Sequence, residues 1–104
     1  MSDQPRIIST NVTFRNMEGS DALKHYVTEK VSHCLRKFAR QDLEVNIVLS
    51  VEKIRQIAEV TFNHDGNMIN NSEESDDMYK SIDNLVDSLT NQLRKHKEKA
   101  TKRH

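Results

Sequence analysis

The stretch DMYKSIDNLVDSLTNQLRKHKEK, residues 77–99, decides the fold of this 104-residue chain. Its apolar side chains recur at i, i+4, i+7, i+8, i+11 and i+15, which at about 100° per residue places them on one side of a helix. They are Met78, Ile82, Leu85, Val86, Leu89 and Leu93. The stretch therefore predicts a long amphipathic helix whose apolar stripe packs against another layer of the protein.

The end of this helix is predicted to extend beyond its own core. Apolar positions stop after Leu93, and residues 94–104, which we call the basic arm, contain six Lys/Arg against one acid. The helix macrodipole favours bases near a C-terminus, but its effect fades within the last turn and does not require so many. The arm therefore indicates an anionic partner, although solvated lysines on a helix end are the simpler structural alternative.

Residues upstream predict four strands and a further helix. Ser20 fits the N-cap of a first helix that reaches about Phe38, and the Asp65-Gly66 pair predicts a hairpin. Residues 73–77 are predicted to be an acidic loop. Alternation of apolar and polar residues predicts strands at residues 6–14, 45–52, 57–64 and, more weakly, 68–72.

The predicted order is β-α-β-β-β-α, an α+β fold. Each helix has a single apolar face, and only one four-stranded sheet is available to cover it. Both helices are therefore expected to pack on the same face of that sheet.

Length and composition indicate one domain. The length suits a single core, and the chain contains no run of about 18 apolar residues for a membrane helix and no secretory signal at its start. Its single Cys34 agrees with a reducing compartment and is expected to be a small core residue. We expect a cytoplasmic protein, with a flexible lead-in at residues 1–9 and a domain at residues 10–104.

The residues do not indicate an enzyme. With only Gly19 and Gly66, no glycine-rich phosphate loop can be written, and one cysteine excludes the common zinc frameworks. None of the five histidines has a partner at a spacing typical of a metal site or a catalytic pair. No cofactor and no metal are predicted.

Two polar strips on the helices are the better candidates for function. The first-helix strip is Tyr26, Lys30, His33 and Lys37, and the second-helix strip is Lys80, Asn84, Ser88, Asn91 and Lys95. If the helices lie side by side, the strips are expected to bound one groove or ridge, with Asp83 and Asp87 pointing elsewhere. Each strip alone is explained equally well by ordinary solvated lysines. Both strips together with the basic arm favour RNA binding, because Lys and Arg bound to phosphates release counterions.

The sequence resembles the family of short ribosome hibernation promoting factors and ribosome-associated translation inhibitors over roughly residues 10–104. The residues that carry the likeness are Asp77-Met78-Tyr79, Ile82-Asp83, Leu85, Asp87, Leu89, Gln92-Leu93, Lys95-His96-Lys97, Ile47-Val48-Leu49, Val51-Glu52-Lys53, Gly66, Ala22-Leu23 and Lys30. The resemblance implies a fold similar to double-stranded-RNA-binding domains. It also implies that the basic helix face enters the small ribosomal subunit where messenger and transfer RNA would sit.

Carried over by position, the resemblance points to Lys24, Lys30, Lys95, Lys97 and Lys99, with His33 where the family has a lysine. Ser88 and Asn91 stand where the family places Lys and Arg, so the middle of the second helix is less charged here. The complete set of predicted RNA-binding residues is Lys24, Lys30, His33, Lys37, Lys80, Asn91, Arg94, Lys95, Lys97 and Lys99.

The expected function is that of a ribosome hibernation factor. It would bind small-subunit ribosomal RNA in the decoding region, inhibit translation under stress or in stationary phase, and promote inactive ribosome dimers. Its expected partners are the small subunit, 70S and dimerised ribosomes and a ribosome modulation factor, with the free protein a monomer. Two alternatives are an inhibitor that silences single ribosomes without dimers, and a protein-interaction module that uses the polar sheet face and the acidic loop.

Overall fold

A computed structural model describes the backbone of residues 7–101 and the side chains of residues 7–95. Its elements follow the predicted β-α-β-β-β-α order and confirm the α+β class. Residues 1–6 of the predicted lead-in lie outside the described part, whereas its last two residues belong to the first strand. The elements are β1 (Ile8–Arg15), α1 (Asp21–Arg36), β2 (Leu43–Glu52), β3 (Arg55–His64), β4 (Asn67–Ser75) and α2 (Met78–Thr101).

The four strands form one mixed sheet in the order β1-β2-β3-β4. β1 runs parallel to β2, and the other two pairs are antiparallel. Parallel neighbours need a long crossover connection, and α1 supplies it. The spatial order of the strands is therefore also their order along the chain.

Both hairpin turns contain two residues. Between the paired residues His64 and Asn67, Asp65 has a φ of 54° and Gly66 a φ of 81°, which confirms the predicted hairpin and is typical of a primed turn. In the other hairpin, Lys53 has a φ of 59°. That turn is shorter than expected, because β3 already begins at Arg55.

The structure corrects the prediction that residues 73–77 form an acidic loop. β4 continues to Ser75, so Glu73 and Glu74 pair with β3 instead of lying in a loop. Glutamate is depleted in strands, which is why the sequence favoured a loop. Here Arg55 contacts Glu74 through two hydrogen bonds, at 3.0 Å from Nε and 2.5 Å from Nη2, and so compensates the charge. The same contact lowers the pKa of Glu74.

The core lies between the helices and one face of the sheet. The predicted α2 stripe is confirmed: its members are buried apart from Val86, which is partly buried. On α1, Val27, Val31, Cys34 and Leu35 lie in the core, which confirms the expectation for Cys34. The remaining buried core residues come from the sheet and alternate along the strands: Leu43, Val45, Ile47, Leu49, Ala58, Val60, Phe62 and Ile69.

Both helices cover the same face, as predicted. Ile47 lies beside Val60 in the register, and both are buried at the helix side. Residues that alternate with the buried ones along β2, such as Glu44 and Asn46, are exposed on the other face. One face of the sheet therefore carries the helix pair and the other is open.

Short polar contacts fix where each helix begins. The Ser20 hydroxyl accepts from the Leu23 N–H at 3.1 Å, which confirms the predicted N-cap. The Asp77 carboxylate accepts from the Tyr79 N–H at 2.9 Å, and the buried Ser81 hydroxyl donates to the Gln56 carbonyl at 2.6 Å. The bond from Ser81 ties the first turn of α2 to β3 and so positions the helix surface described next.

Candidate nucleic-acid interface

The predicted α1 strip is an accessible row on the outside of the molecule. Lys30, His33 and Lys37 are exposed, and Tyr26 is partly buried. The Lys30 ammonium lies 5.4 Å from the centroid of the Tyr26 ring, within range of a cation–π interaction. The Tyr26 ring and the Lys30 ammonium therefore lie together, and His33 and Lys37 follow further along the same side of the helix.

An acid from α2 reaches this row. The Tyr26 hydroxyl donates to Asp83 Oδ1 at 2.5 Å. This hydrogen bond, aided by partial burial and the carboxylate charge, raises the pKa of Tyr26 to about 12. Asp83 thus points away from the second-helix strip, as expected, but it contacts the first-helix strip, which was not expected. The helical wheel gave its angle on α2, but it could not tell which side of α2 faces α1.

The second-helix strip does not share a groove with the first. Ser88 is joined to Asn71 of β4 by hydrogen bonds of 3.1 and 3.2 Å, so this side of α2 leans toward the sheet edge. The side that faces α1 carries Asp83 and Thr90, whose hydroxyl lies 3.2 Å from the buried Cys34 sulfur. The expectation of one groove bounded by both strips is corrected: the strips lie on different sides of the helix pair.

The predicted contact residues with described side chains are all solvent-facing. They are Lys24, Lys30, His33, Lys37, Lys80, Asn91, Arg94 and Lys95. Among the side chains of residues 7–95, the ion pairs join Arg55 to Glu52 and Glu74, and His64 to Asp65, so they involve none of these contact residues. Their charges are therefore available to an external anion.

The basic arm continues α2 past its last buried apolar residue. Leu93 is 2% exposed, whereas the next two residues, Arg94 and Lys95, are exposed. The helical backbone continues to Thr101. The side chains of Lys97 and Lys99 lie outside the described residues, so their predicted role stays a prediction.

Sequence reasoning missed a basic cleft at the far end of the helix pair. Lys37 and Arg40, just after α1, line an open cleft of about 280 Å³ together with His64, Asp65 and Leu93. Arg40 was not among the predicted contact residues. Only the tertiary fold brings the β3 to β4 hairpin beside the end of α1.

The described part of the chain offers no other chemistry of this kind. It holds no group of three or more His, Cys, Asp or Glu side chains arranged to bind a metal ion. No helix found among the described residues is long and apolar enough to cross a membrane.

Comparison with known proteins identifies the family. Residues 10–101 match the model of the family described as Sigma 54 modulation protein / S30EA ribosomal protein. The chain belongs to this family. A ribosome hibernation promoting factor of Klebsiella oxytoca is 44% identical over 89 residues, covering 86% of this chain and 93% of that protein. The protein of the same name from Azotobacter vinelandii is 38% identical, covering 92% of this chain and 89% of the relative.

Two solved structures share the fold. The ribosomal subunit interface protein of Coxiella burnetii matches with a TM-score of 0.71 and 27% identity, covering 84% of this chain and 97% of that one. The N-terminal domain of Protein Y of Thermus thermophilus matches with a TM-score of 0.75 and 29% identity, covering 86% of this chain and 98% of that one. Proteins of this S30EA family are hibernation factors and not enzymes, which confirms the prediction that the chain does not catalyse a reaction.

Proposed function

We propose that this S30EA-family protein is a ribosome hibernation factor that binds small-subunit ribosomal RNA in the decoding region. The observation that carries the proposal is the set of exposed bases on both helices, together with the helical backbone of α2 that continues past Leu93 to Thr101. Phosphate groups favour such a surface, because each neutralised phosphate releases counterions. The hibernation-factor name of the relatives supports the ribosome as the source of that RNA.

The proposed mechanism is occlusion. A domain bound in the decoding region occupies the volume that messenger and transfer RNA need, so the ribosome cannot initiate while the protein is bound. The protein would act in the cytoplasm under stress or in stationary phase, as a monomer when free. Formation of inactive ribosome dimers is a further step, for which we propose the help of a ribosome modulation factor.

The proposal is tested by competition on the ribosome. The protein should co-sediment with vacant 70S ribosomes and small subunits, and preformed initiation complexes should resist it at the same magnesium and salt concentrations. Adding initiator complex should relieve inhibition of translation. Equal binding to vacant and initiation-complexed ribosomes would contradict occlusion.

Dimer formation is tested in the same gradients. Alone, the protein should produce few ribosome dimers, and addition of the modulation factor should raise their amount. Few dimers under both conditions would favour the alternative, an inhibitor of single ribosomes. Abundant dimers without the helper would contradict the need for one.

Salt dependence separates RNA binding from the protein-interaction alternative. Binding through phosphates should weaken steeply between low and moderate salt, whereas an apolar protein interface should not. The open sheet face is a weaker candidate than the sequence suggested, because Glu74 of the acidic segment is already engaged by Arg55.

A further inference from the structure

We propose that Tyr26 and Tyr79 form a stacking platform for an unpaired nucleobase. This inference rests on the proposed function and specifies which kind of RNA the site binds. Tyr79 was not among the predicted contacts, and Tyr26 was considered only as part of the α1 strip. The platform predicts that this part of the surface recognises an unpaired base in single-stranded or looped RNA and not the phosphate backbone of a duplex.

The two rings are held in a defined arrangement. Their centroids lie 4.9 Å apart with planes at 76°, an edge-to-face contact between α1 and α2. The Tyr26 hydroxyl is fixed by Asp83, and the Lys30 ammonium lies 5.4 Å from the Tyr26 centroid. The aromatic pair is thus ordered before any ligand arrives, so that stacking costs little conformational entropy.

The platform is open to solvent on one side. Tyr79 is 42% exposed, although its ring packs against Tyr26. Beside Tyr26, a shallow depression of about 430 Å³ runs along α1 and is lined by His25, Glu29, Lys30 and His33. Because the ring planes are 76° apart and Lys30 lies over the Tyr26 ring, a flat group approaching from outside stacks on Tyr79, which Tyr26 supports edge to face.

The charges around the rings favour a base over a phosphate. Asp83 and Glu29 place two carboxylates beside the aromatic pair, and these would repel a phosphate. An uncharged base is not repelled, and the Glu29 carboxylate can accept a hydrogen bond from an exocyclic amine. The phosphates on either side of that base can lie along the α1 row, where Lys30 and Lys37 are exposed.

The chain carries its own probe for this site. It contains no tryptophan and two tyrosines, which are the two members of the platform. Tyrosine fluorescence therefore reports on the platform alone. We expect a single-stranded oligoadenylate to quench this fluorescence on titration, and an abasic oligomer of equal length and phosphate count to bind more weakly and to leave the fluorescence nearly unchanged.

Matched variants separate stacking from charge. Tyr79→Leu keeps an apolar side chain and removes the ring, and it should weaken oligoadenylate binding about 5- to 150-fold, the range for loss of one stacked base. Its affinity for the abasic oligomer should not change. Tyr79→Phe retains the ring and should bind both oligomers as the wild type does, whereas Lys37→Gln should weaken binding of both by the same factor.

Each result decides the proposal. Equal effects of Tyr79→Leu on the two oligomers, equal quenching by them, or no oligoadenylate binding at all would overturn the platform. If the wild type still competes with initiation complexes for the ribosome in that case, the proposed function stands without the platform. Failure of that competition, by contrast, would remove the proposed function itself. Thermal unfolding of each variant confirms that the comparison concerns folded protein.

Discussion

Asp83 sets the chemistry of the helix-pair surface at the scale of single residues. It lies on α2, yet its carboxylate accepts the hydrogen bond of Tyr26 on α1. Asp83 is exposed, and its negative charge beside the basic residues lowers the local affinity for phosphate. Here the same carboxylate accepts a hydrogen bond from Tyr26 and thereby holds its aromatic ring in place.

The contact can be tested by titration of the tyrosines. Neutral Tyr26 is the hydrogen-bond donor, so its pKa is raised to about 12, and the stability it contributes is present below pH 10 and is lost as the pH rises toward 12. Asp83→Asn removes the carboxylate charge and should move the pKa of Tyr26 down toward its ordinary value. Tyrosinate absorbance measures the shift. Identical titration curves for Asp83→Asn and the wild type would show that the contact is not formed.

Ser88 is a second residue whose role changed once its neighbours were known. Family resemblance suggested that replacing Ser88 and Asn91 by Lys and Arg would strengthen RNA binding. Ser88, however, is bonded to Asn71 of β4, whereas Asn91 is exposed. Restoring the family's charge at these two positions should therefore have different costs.

Two single variants with the same added charge test this difference. Ser88→Lys should destabilise the fold by about 0.5–1.5 kcal/mol through the lost hydrogen bonds. Asn91→Arg should leave the stability within about 0.5 kcal/mol of the wild type, as is usual for surface substitutions, and should tighten small-subunit binding. Thermal unfolding and sedimentation measure the two effects. Equal stabilities of the two variants would contradict the contact between Ser88 and Asn71.

Helix α2 is the element on which the rest of the structure depends. Its buried stripe covers β3 and β4, and its first turn is tied to β3 by Ser81. The opposite side of the same helix carries exposed residues such as Lys80 and Asn91. One element thus supplies both the core and part of the proposed RNA surface.

A matched pair of charge insertions on α2 tests this division. Leu89→Asp buries an unpaired carboxylate at a fully buried site and should cost several kcal/mol, against a total stability of about 5–15 kcal/mol. Asn91→Asp adds the same charge on the exposed side and should leave the melting temperature nearly unchanged. Denaturant unfolding gives both free energies. A normal cooperative transition in Leu89→Asp would refute the packing described here.

At the level of elements, the sequence was informative wherever periodicity was strong. The α2 stripe, the Ser20 cap and the Asp65-Gly66 turn are local patterns, and the structure confirms each one. The predicted end of β4 was wrong because Glu73 and Glu74 pair with β3, and composition does not reveal that pairing. The orientation of α2 against α1 was wrong for the same reason: a helical wheel contains no information about adjacent helices.

Charge is distributed unevenly over the whole molecule, although its formal net charge is zero. The helix side carries the α1 row, the exposed bases of α2 and the start of the basic arm. The open sheet face carries acids such as Glu44 and Glu74 beside few bases. We therefore expect RNA to select the helix side through long-range electrostatics as well as through contacts.

Charge reversal on the two sides of the molecule tests this selection. Lys30→Glu with Lys37→Glu and, as the control, Arg15→Glu with Lys53→Glu change the net charge equally, and all four residues are exposed. The first pair should weaken small-subunit binding severely. It should also lower the slope of log binding constant against log salt concentration by the amount expected for the loss of about one to two phosphate contacts. The control pair should bind nearly as the wild type does. Equal losses would show that only net charge matters.

The parallel pairing of β1 with β2 has a consequence for the order of folding. β2, β3 and β4 are joined by two-residue turns and can form from local contacts, whereas β1 reaches β2 only after residues 16–42 have folded back over the sheet. Closing that longer loop costs more entropy, so β1 and α1 should dock late and open first. The two helices of the RNA surface would then belong to different cooperative units. Amide hydrogen exchange should accordingly be faster in β1 than in β2 and β3. A brief opening of β1 and α1 would remove half of the proposed binding surface, while β2, β3, β4 and the covering helix α2 stay folded.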